Sequence, residues 1–265
     1  MNIKQIFSRK KKYTANSDGV TMLHKKLNFA ATEAYKLLRT NLMFTLPDSE
    51  GCRIVGITSA IRGEGKSTTA TNLSYSIAET GKKVLLVDAD LRIPSIAKKL
   101  DVQEVPGLSN VLVEHEGIDK AVIHMPELDN WHVLPSGNRP PNPTELLTSS
   151  QMTSFVKKIS DSYDFVIFDL PPVDLVSDAL AISPLLDGML LVVREDYLER
   201  RELNKCIKRL ELSNVKVLGV VMNDADDGTS SYGHYKRNKH YKSSYYKTPE
   251  YQSAYGIEAE AMRKK

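Results

Sequence analysis

Hydrophobic positions fall into short uninterrupted runs separated by amphipathic stretches. Arg53–Thr58, Lys83–Val87, Asp164–Asp169, Gly188–Val193 and Val215–Met222 each carry a block of Val, Ile, Leu, Phe or Met. Continuous rather than alternating runs of this length predict strands buried on both faces, as in a parallel sheet. Trp131–Leu134 predicts a further short strand. Between the runs, apolar residues recur at helical spacing. Helices are predicted over 30–46, 67–80, 151–160, 178–186 and 199–212, with short helices and loops over 95–130. Ala34, Leu38 and Leu42 stand four apart and form one apolar stripe of the first helix. Gly81 closes the second helix in the C′ manner. Ser136–Pro143, with Pro135 before it, holds four prolines and predicts a rigid connection. Strand and helix alternate throughout, so the expected fold is α/β, a doubly wound and mostly parallel sheet.

The first strand leads into Ala60-Ile61-Arg62-Gly63-Glu64-Gly65-Lys66-Ser67. That is P-loop spacing, with Ala60 at the first small position. A loop between strand and helix turns its amides inward and sets a helix N-terminus behind them, which suits phosphate. Gly63 and Gly65 let the backbone approach closely. Lys66 can reach β- and γ-phosphates, and the Ser67 hydroxyl can hold Mg²⁺. Two later strands also end in acids. One ends in Asp88-Ala89-Asp90 and the other in Asp169. Carboxyl ends of parallel strands are where such folds bind ligands. Asp88 and Asp90 can both face a metal only if the strand has broken there, which Pro94 favours. Four apolar residues followed by Asp169 read as a Walker B strand that holds the magnesium water shell.

Charge divides the chain in a way the net +3 hides. Residues 1–26 carry seven Lys/Arg against one Asp, and 232–265 carry eight against three Glu, leaving 27–231 at −8. An acidic body argues against nucleic-acid binding. Three regions follow: a basic N-terminal tail 1–26, a P-loop domain 27–227 and a tail 228–265. The first is expected to be disordered. Arg9–Lys12 with Ile3, Ile6 and Phe7 can touch an anionic membrane, but a solvated tail is preferred. The last holds Tyr232, Tyr235, Tyr241, Tyr245, Tyr246, Tyr251 and Tyr255 among polar and basic residues, and has too few aliphatics for a core. Such tyrosines can stack on single strands, aggregate or accept phosphate. No apolar run is long enough to span a bilayer, and no hydrophobic segment follows the basic start as in a signal peptide. Cys52 and Cys206 have no metal or redox spacing and read as thiols of a reducing cytosol. Glu33, Lys36 and Arg39 recur every three residues and, on spacing alone, read as a solvated face.

Taken together, these motifs resemble the bacterial protein-tyrosine kinases of capsular and exopolysaccharide gene clusters, of the short cytoplasmic type. The resemblance rests on Glu33–Asn41, Gly63–Thr68, Val87–Pro94, Pro140–Leu147, Phe168–Pro172 and the tyrosine-rich tail. It implies ATP and Mg²⁺ as cofactors, with Gly63, Glu64, Gly65, Lys66, Ser67 and Thr68 binding nucleotide. It implies that Asp88 activates the acceptor hydroxyl near the metal, while Asp90 and Asp169 position Mg²⁺ and its waters. Asn223 matches a position that reads adenine in related ATPases. The seven tail tyrosines become phosphoacceptors. Glu33, Lys36 and Arg39 match a contact motif that closes an octameric ring. The family also implies a transmembrane adaptor of the polysaccharide co-polymerase type that activates the kinase. A cognate tyrosine phosphatase and a place at the inner face of the cell membrane come with it. Arg62, Lys36 and Leu170 depart from the family's common Pro, Arg and Thr. Lys36 loses the bidentate fork, which weakens the ring contact. The competing expectation is a MinD/ParA-like positioning ATPase. Those proteins carry a lysine where this chain has Ile61 and do not need a tyrosine tail.

Overall fold

The computed structural model describes residues 27, 29–46, 51–114 and 117–224. Both tails lie outside the described residues, and so does the boundary between domain and C-terminal tail. Seven strands form one sheet in the order β3-β4-β2-β5-β1-β6-β7. They are β1 (Arg53–Ser59), β2 (Val84–Asp88), β3 (Ile123–His124), β4 (Trp131–Leu134), β5 (Phe165–Asp169), β6 (Gly188–Arg194) and β7 (Val217–Asn223). All neighbours pair in parallel except β3 with β4, which are antiparallel at the edge.

The continuous apolar runs become central strands because helices cover both faces of the sheet. Side chains alternate between the two faces with period two. Leu85, Val87, Val166 and Phe168 enter one core, together with Leu108, Phe155 and Leu210. Val84, Leu86, Phe165 and Ile167 enter the other, with Leu38, Leu42, Leu73 and Ile77. The second core lies beneath α1 (Phe29–Thr45) and α2 (Lys66–Ala78). The first lies beneath α4 (Leu108–Val113), α7 (Ser150–Ser160) and α9 (Arg200–Leu212). Burying one such Leu or Phe contributes about 1.5–3 kcal/mol, so the two layers fix the strand register that places the chain's acids.

Five elements complete the fold: α3 (Ile96–Leu100), α5 (Ile118–Ala121), α6 (Pro143–Leu147), α8 (Asp178–Ile182) and a 3-10 turn (Ser183–Leu185) that continues α8. Two features depart from expectation. The proline-rich connection runs directly into α6, with Pro143 at its first turn, where a missing N–H costs nothing. The short edge strand β3 occupies part of the segment expected to hold helices and loops. No helix among the described residues is long and apolar enough to cross a membrane.

Candidate active site

The register of the three central strands builds the site. Ile57 of β1 lies beside Asp169 of β5, and Asp169 lies beside Asp88 of β2. The P-loop leaves β1 at the same end. Gly63 and Gly65 have φ of +89° and +96°, the left-handed region that L side chains rarely adopt. A Cβ on Gly63 would stand 2.7 Å from the Tyr197 hydroxyl, and one on Gly65 would collide with the Asn223 amide. The loop is thus shaped as a backbone cradle, packed tightly from behind.

Lys66 is the hub. Its ammonium lies 2.9 Å from Asp90 Oδ2, 3.3 Å from Asp169 Oδ1 and 3.3 Å from Ser67 Oγ. Burial by itself would lower the lysine pKa, but the charges of Asp169, Asp90 and Asp88 outweigh it and hold the pKa raised. Asp90 belongs to the turn after β2, so the strand does break between the two acids as expected. Its Oδ1 accepts from the Ile93 amide at 3.0 Å.

Asp88 is held differently. Its Oδ2 accepts from the Ser95 and Ile96 amides, both at 2.9 Å, and its Oδ1 accepts from the Asp90 amide at 3.2 Å. Three acceptor positions of the carboxylate are therefore in use, and one on Oδ1 remains. Burial, reinforced by the neighbouring Asp169 charge, pushes the Asp88 pKa up to about 8. Asp169 is raised as well, by burial, with Lys66 and the Ser67 hydroxyl opposing.

The donors fit a hard divalent cation that also needs phosphate ligands. Asp169 Oδ2 is buried with no hydrogen-bond partner, an orphaned oxygen on a carboxyl whose other oxygen shares the Lys66 ammonium with Asp90 and Ser67. No group of three or more His, Cys, Asp or Glu among the described residues could hold a metal unaided. Magnesium is commonly bound by one or two carboxylates plus substrate phosphates, so a partial ligand set is the appropriate one.

Several of the expected residues make contacts of their own around the P-loop and on α1. Asn223 ends β7, and its amide nitrogen donates to the Glu64 carbonyl at 2.9 Å, bracing the P-loop. Glu64 folds its side chain under the loop, fully buried, and accepts from the Ile61 amide at 2.8 Å. Its other oxygen, Oε1, makes no hydrogen bond of normal geometry. Burial, partly offset by the Ile61, Arg194 and Ala60 amides, lifts its pKa to about 7. Glu64 is thus a strut of the cradle. Of the α1 triplet, Glu33 and Lys36 pair with each other on the exposed surface at 2.8 Å. Arg39 turns inward, donating to the Ser76 carbonyl and, at 3.2 Å, to the Ser76 hydroxyl. The seven tail tyrosines lie outside the described residues.

Sequence reasoning missed one support. Arg92 Nε and Nη2 donate to the fully buried Asp178 carboxylate at 2.7 and 3.1 Å, and Thr144 Oγ1 donates to Asp178 at 2.5 Å. This bidentate pair ties the loop after β2 to α6 and α8. An Arg two residues after Asp90 and an Asp at the start of a predicted helix were the available signals, but nothing in the spacing joins them.

A doubly wound, mostly parallel sheet with a P-loop after β1 and acids at the ends of β5 and β2 defines a P-loop NTPase, a fold that implies binding of nucleotide with a divalent metal. Within that class, residues 52–217 match the AAA domain family model. The chain is 40% identical over 205 residues to tyrosine-protein kinase YwqD of Bacillus subtilis, covering 77% of this chain and 86% of that protein. Its structure is similar to the chimerical protein CapA2B2, with a TM-score of 0.74 at 33% identity, over 84% of this chain and 95% of that one. It is also similar to the kinase domain of the Escherichia coli tyrosine kinase ETK, with a TM-score of 0.71 at 33% identity, over 78% and 81% of the two chains. The chain belongs to the bacterial tyrosine-protein kinases, and this family, not the positioning ATPases, accounts for its P-loop.

Proposed function

We propose that this kinase transfers the γ-phosphoryl group of ATP, with Mg²⁺, to tyrosines of the 228–265 tail of a neighbouring copy. The observation that carries the reading is the Lys66 ammonium at the end of the P-loop, held between Asp90 and Asp169 and within reach of the Ser67 hydroxyl. Incoming phosphates compete for Lys66, which exchanges carboxylates for phosphate oxygens while the glycine-lined loop closes around them. Ser67, Asp90 and Asp169 are the residues that would hold the metal or its waters, with Asp88 near it. Bound Mg²⁺ supplies neutralisation of the β- and γ-phosphate charge. Asp88 receives the phenolic proton on its remaining Oδ1 position as the phenol oxygen bonds to phosphorus and the bond to the ADP oxygen breaks. In its ionised form, a carboxylate whose proton affinity is raised by burial accepts the proton more strongly than an ordinary aspartate. Asn223 supports adenine binding only indirectly, through the loop it braces.

The wider setting of the proposal is synthesis and export of capsular or extracellular polysaccharide. It includes a ring-shaped octamer closed through α1, a transmembrane adaptor of the polysaccharide co-polymerase type and a cognate tyrosine phosphatase. The adaptor holds the kinase at the inner face of the cell membrane. The test is direct. Full-length protein incubated with Mg-ATP and a candidate adaptor segment should gain phosphotyrosine between Tyr232 and Tyr255, mapped by mass spectrometry. Lys66→Met should remain folded and gain none. A folded Lys66→Met protein that still phosphorylates itself would refute the site.

A further inference from the structure

The loop after β2 carries a second lysine to the P-loop. Asp88 fixes the start of α3 by accepting from the Ser95 and Ile96 amides, and the Lys99 amide bonds the Ser95 carbonyl at 3.0 Å. One turn on from Ser95, the Lys99 side chain reaches across to α2, where its Nζ donates to Thr68 Oγ1 at 3.2 Å. Thr68 directly follows Ser67. Lys98, its neighbour on α3, points out to solvent, whereas Lys99 is partly buried.

We propose that Lys99 is a second phosphate-binding cation of the nucleotide site, contacting the polyphosphate from α3 while Lys66 contacts it from the P-loop. The inference rests on the nucleotide site proposed above. An ammonium has three donors, and Thr68 takes one. No carboxylate among the described residues forms an ion pair with Lys99, in contrast to Lys66, which has two. A partly buried cation without an anionic partner is costly unless a ligand provides one. Burial lowers the Lys99 pKa, with the Lys66 charge adding to this and Asp169 and Asp88 opposing, as expected of a cation short of counter-charge. The site also needs more positive charge than Lys66 supplies. Asp90 and Asp169 are buried within it beside Asp88, and the nucleotide remains anionic even with its Mg²⁺ counted.

The experiment uses the full chain and isothermal titration with Mg-ADP and Mg-ATP, alongside thermal unfolding of the nucleotide-free protein. Lys99→Met should weaken both nucleotides by about tenfold or more, the scale of one charge-assisted hydrogen bond. Its nucleotide-free thermal midpoint should stay level or rise, because an unpaired cation has gone. Lys99→Arg should recover most of the affinity. A purely structural role predicts the opposite: a lowered nucleotide-free midpoint. Wild-type affinity for both nucleotides in Lys99→Met overturns the proposal. So does a lowered midpoint in Lys99→Met with no recovery of affinity in Lys99→Arg. Wild-type protein that binds neither nucleotide would refute the nucleotide site itself, and the role of Lys99 with it.

Discussion

Glu64 sits beneath the P-loop as a buried carboxylate with one satisfied oxygen and one orphan, an arrangement sensitive to pH. Its folded pKa of about 7 stands above the ordinary glutamate value. Between roughly pH 4 and 7 the folded chain keeps a proton that the unfolded chain has released, so stability from this group falls as pH rises through that window. Glu64→Gln keeps an acceptor for the Ile61 amide and removes the titration. The variant should therefore gain stability relative to wild type on going from pH 5 to pH 7.5, by at most on the order of 3 kcal/mol. Thermal unfolding of both proteins across that range checks it. Parallel pH curves would show that Glu64 does not titrate there. Asp88, raised to about 8 for similar reasons, contributes the same slope to both proteins and cancels in the comparison. Residues of this kind mark the limit of sequence reading. Asp88, Asp90 and Asp169 could be placed together because Asp88 and Asp169 each end a recognisable strand and Asp90 follows the first by two residues. The burial of Glu64 and the Arg92–Asp178 pair depend on how the loops fold over one another, which no local spacing encodes.

Helix α1 shows how one element can carry two roles on opposite faces. Leu38 and Leu42 bury against the core that contains Leu73 and Ile77 of α2, and Arg39 adds hydrogen bonds to Ser76. Glu33 and Lys36 face outward, in the company of the exposed Phe29, Leu37 and Phe44. The two ends of the triplet should therefore separate under mutation. Arg39→Ala should cost about 1–2 kcal/mol of stability, because a partly buried carbonyl loses a charged donor. Glu33→Ala should leave stability nearly unchanged, an exposed pair being worth well under about 1 kcal/mol. If α1 closes the proposed ring, Glu33→Ala should still shift assembled protein towards monomer, read by light scattering. Unchanged assembly with unchanged stability would return Glu33 and Lys36 to a plain solvated face. Long elements such as α1 and the central strands were legible because period and apolar run length agree over many residues. The helix α6 and the strand β3 were not. Five residues after a proline-rich turn, or two at a sheet edge, are too few to carry a period.

At the scale of the whole chain, the opposition of an acidic body and a basic tail would give the proposed tail phosphorylation a direction. The tail carries +5 over 232–265 against −8 over 27–231. Opposite charge favours docking of an unmodified tail near a neighbour's acidic site. Each phosphotyrosine adds about −1.5 to −2, so roughly three of them cancel the tail's charge, and modification of all seven reverses it strongly. A like-charged tail should leave the site and resist return, and the effect should shrink with salt because screening at about 10 Å acts on exposed charge at 0.1 M. The unphosphorylated protein is therefore expected to assemble and the heavily phosphorylated one to dissociate. Light scattering on both forms at low and high salt tests this, and equal mass for the two forms at low salt would refute it. The trans step needs its own measurement. Lys66→Met protein mixed with active protein lacking residues 228–265 should acquire phosphotyrosine on its own tail, since it offers acceptors and no phosphate-binding lysine. Its partner offers the reverse. Absence of phosphotyrosine on the Lys66→Met chain would restrict transfer to the subunit that owns the tail.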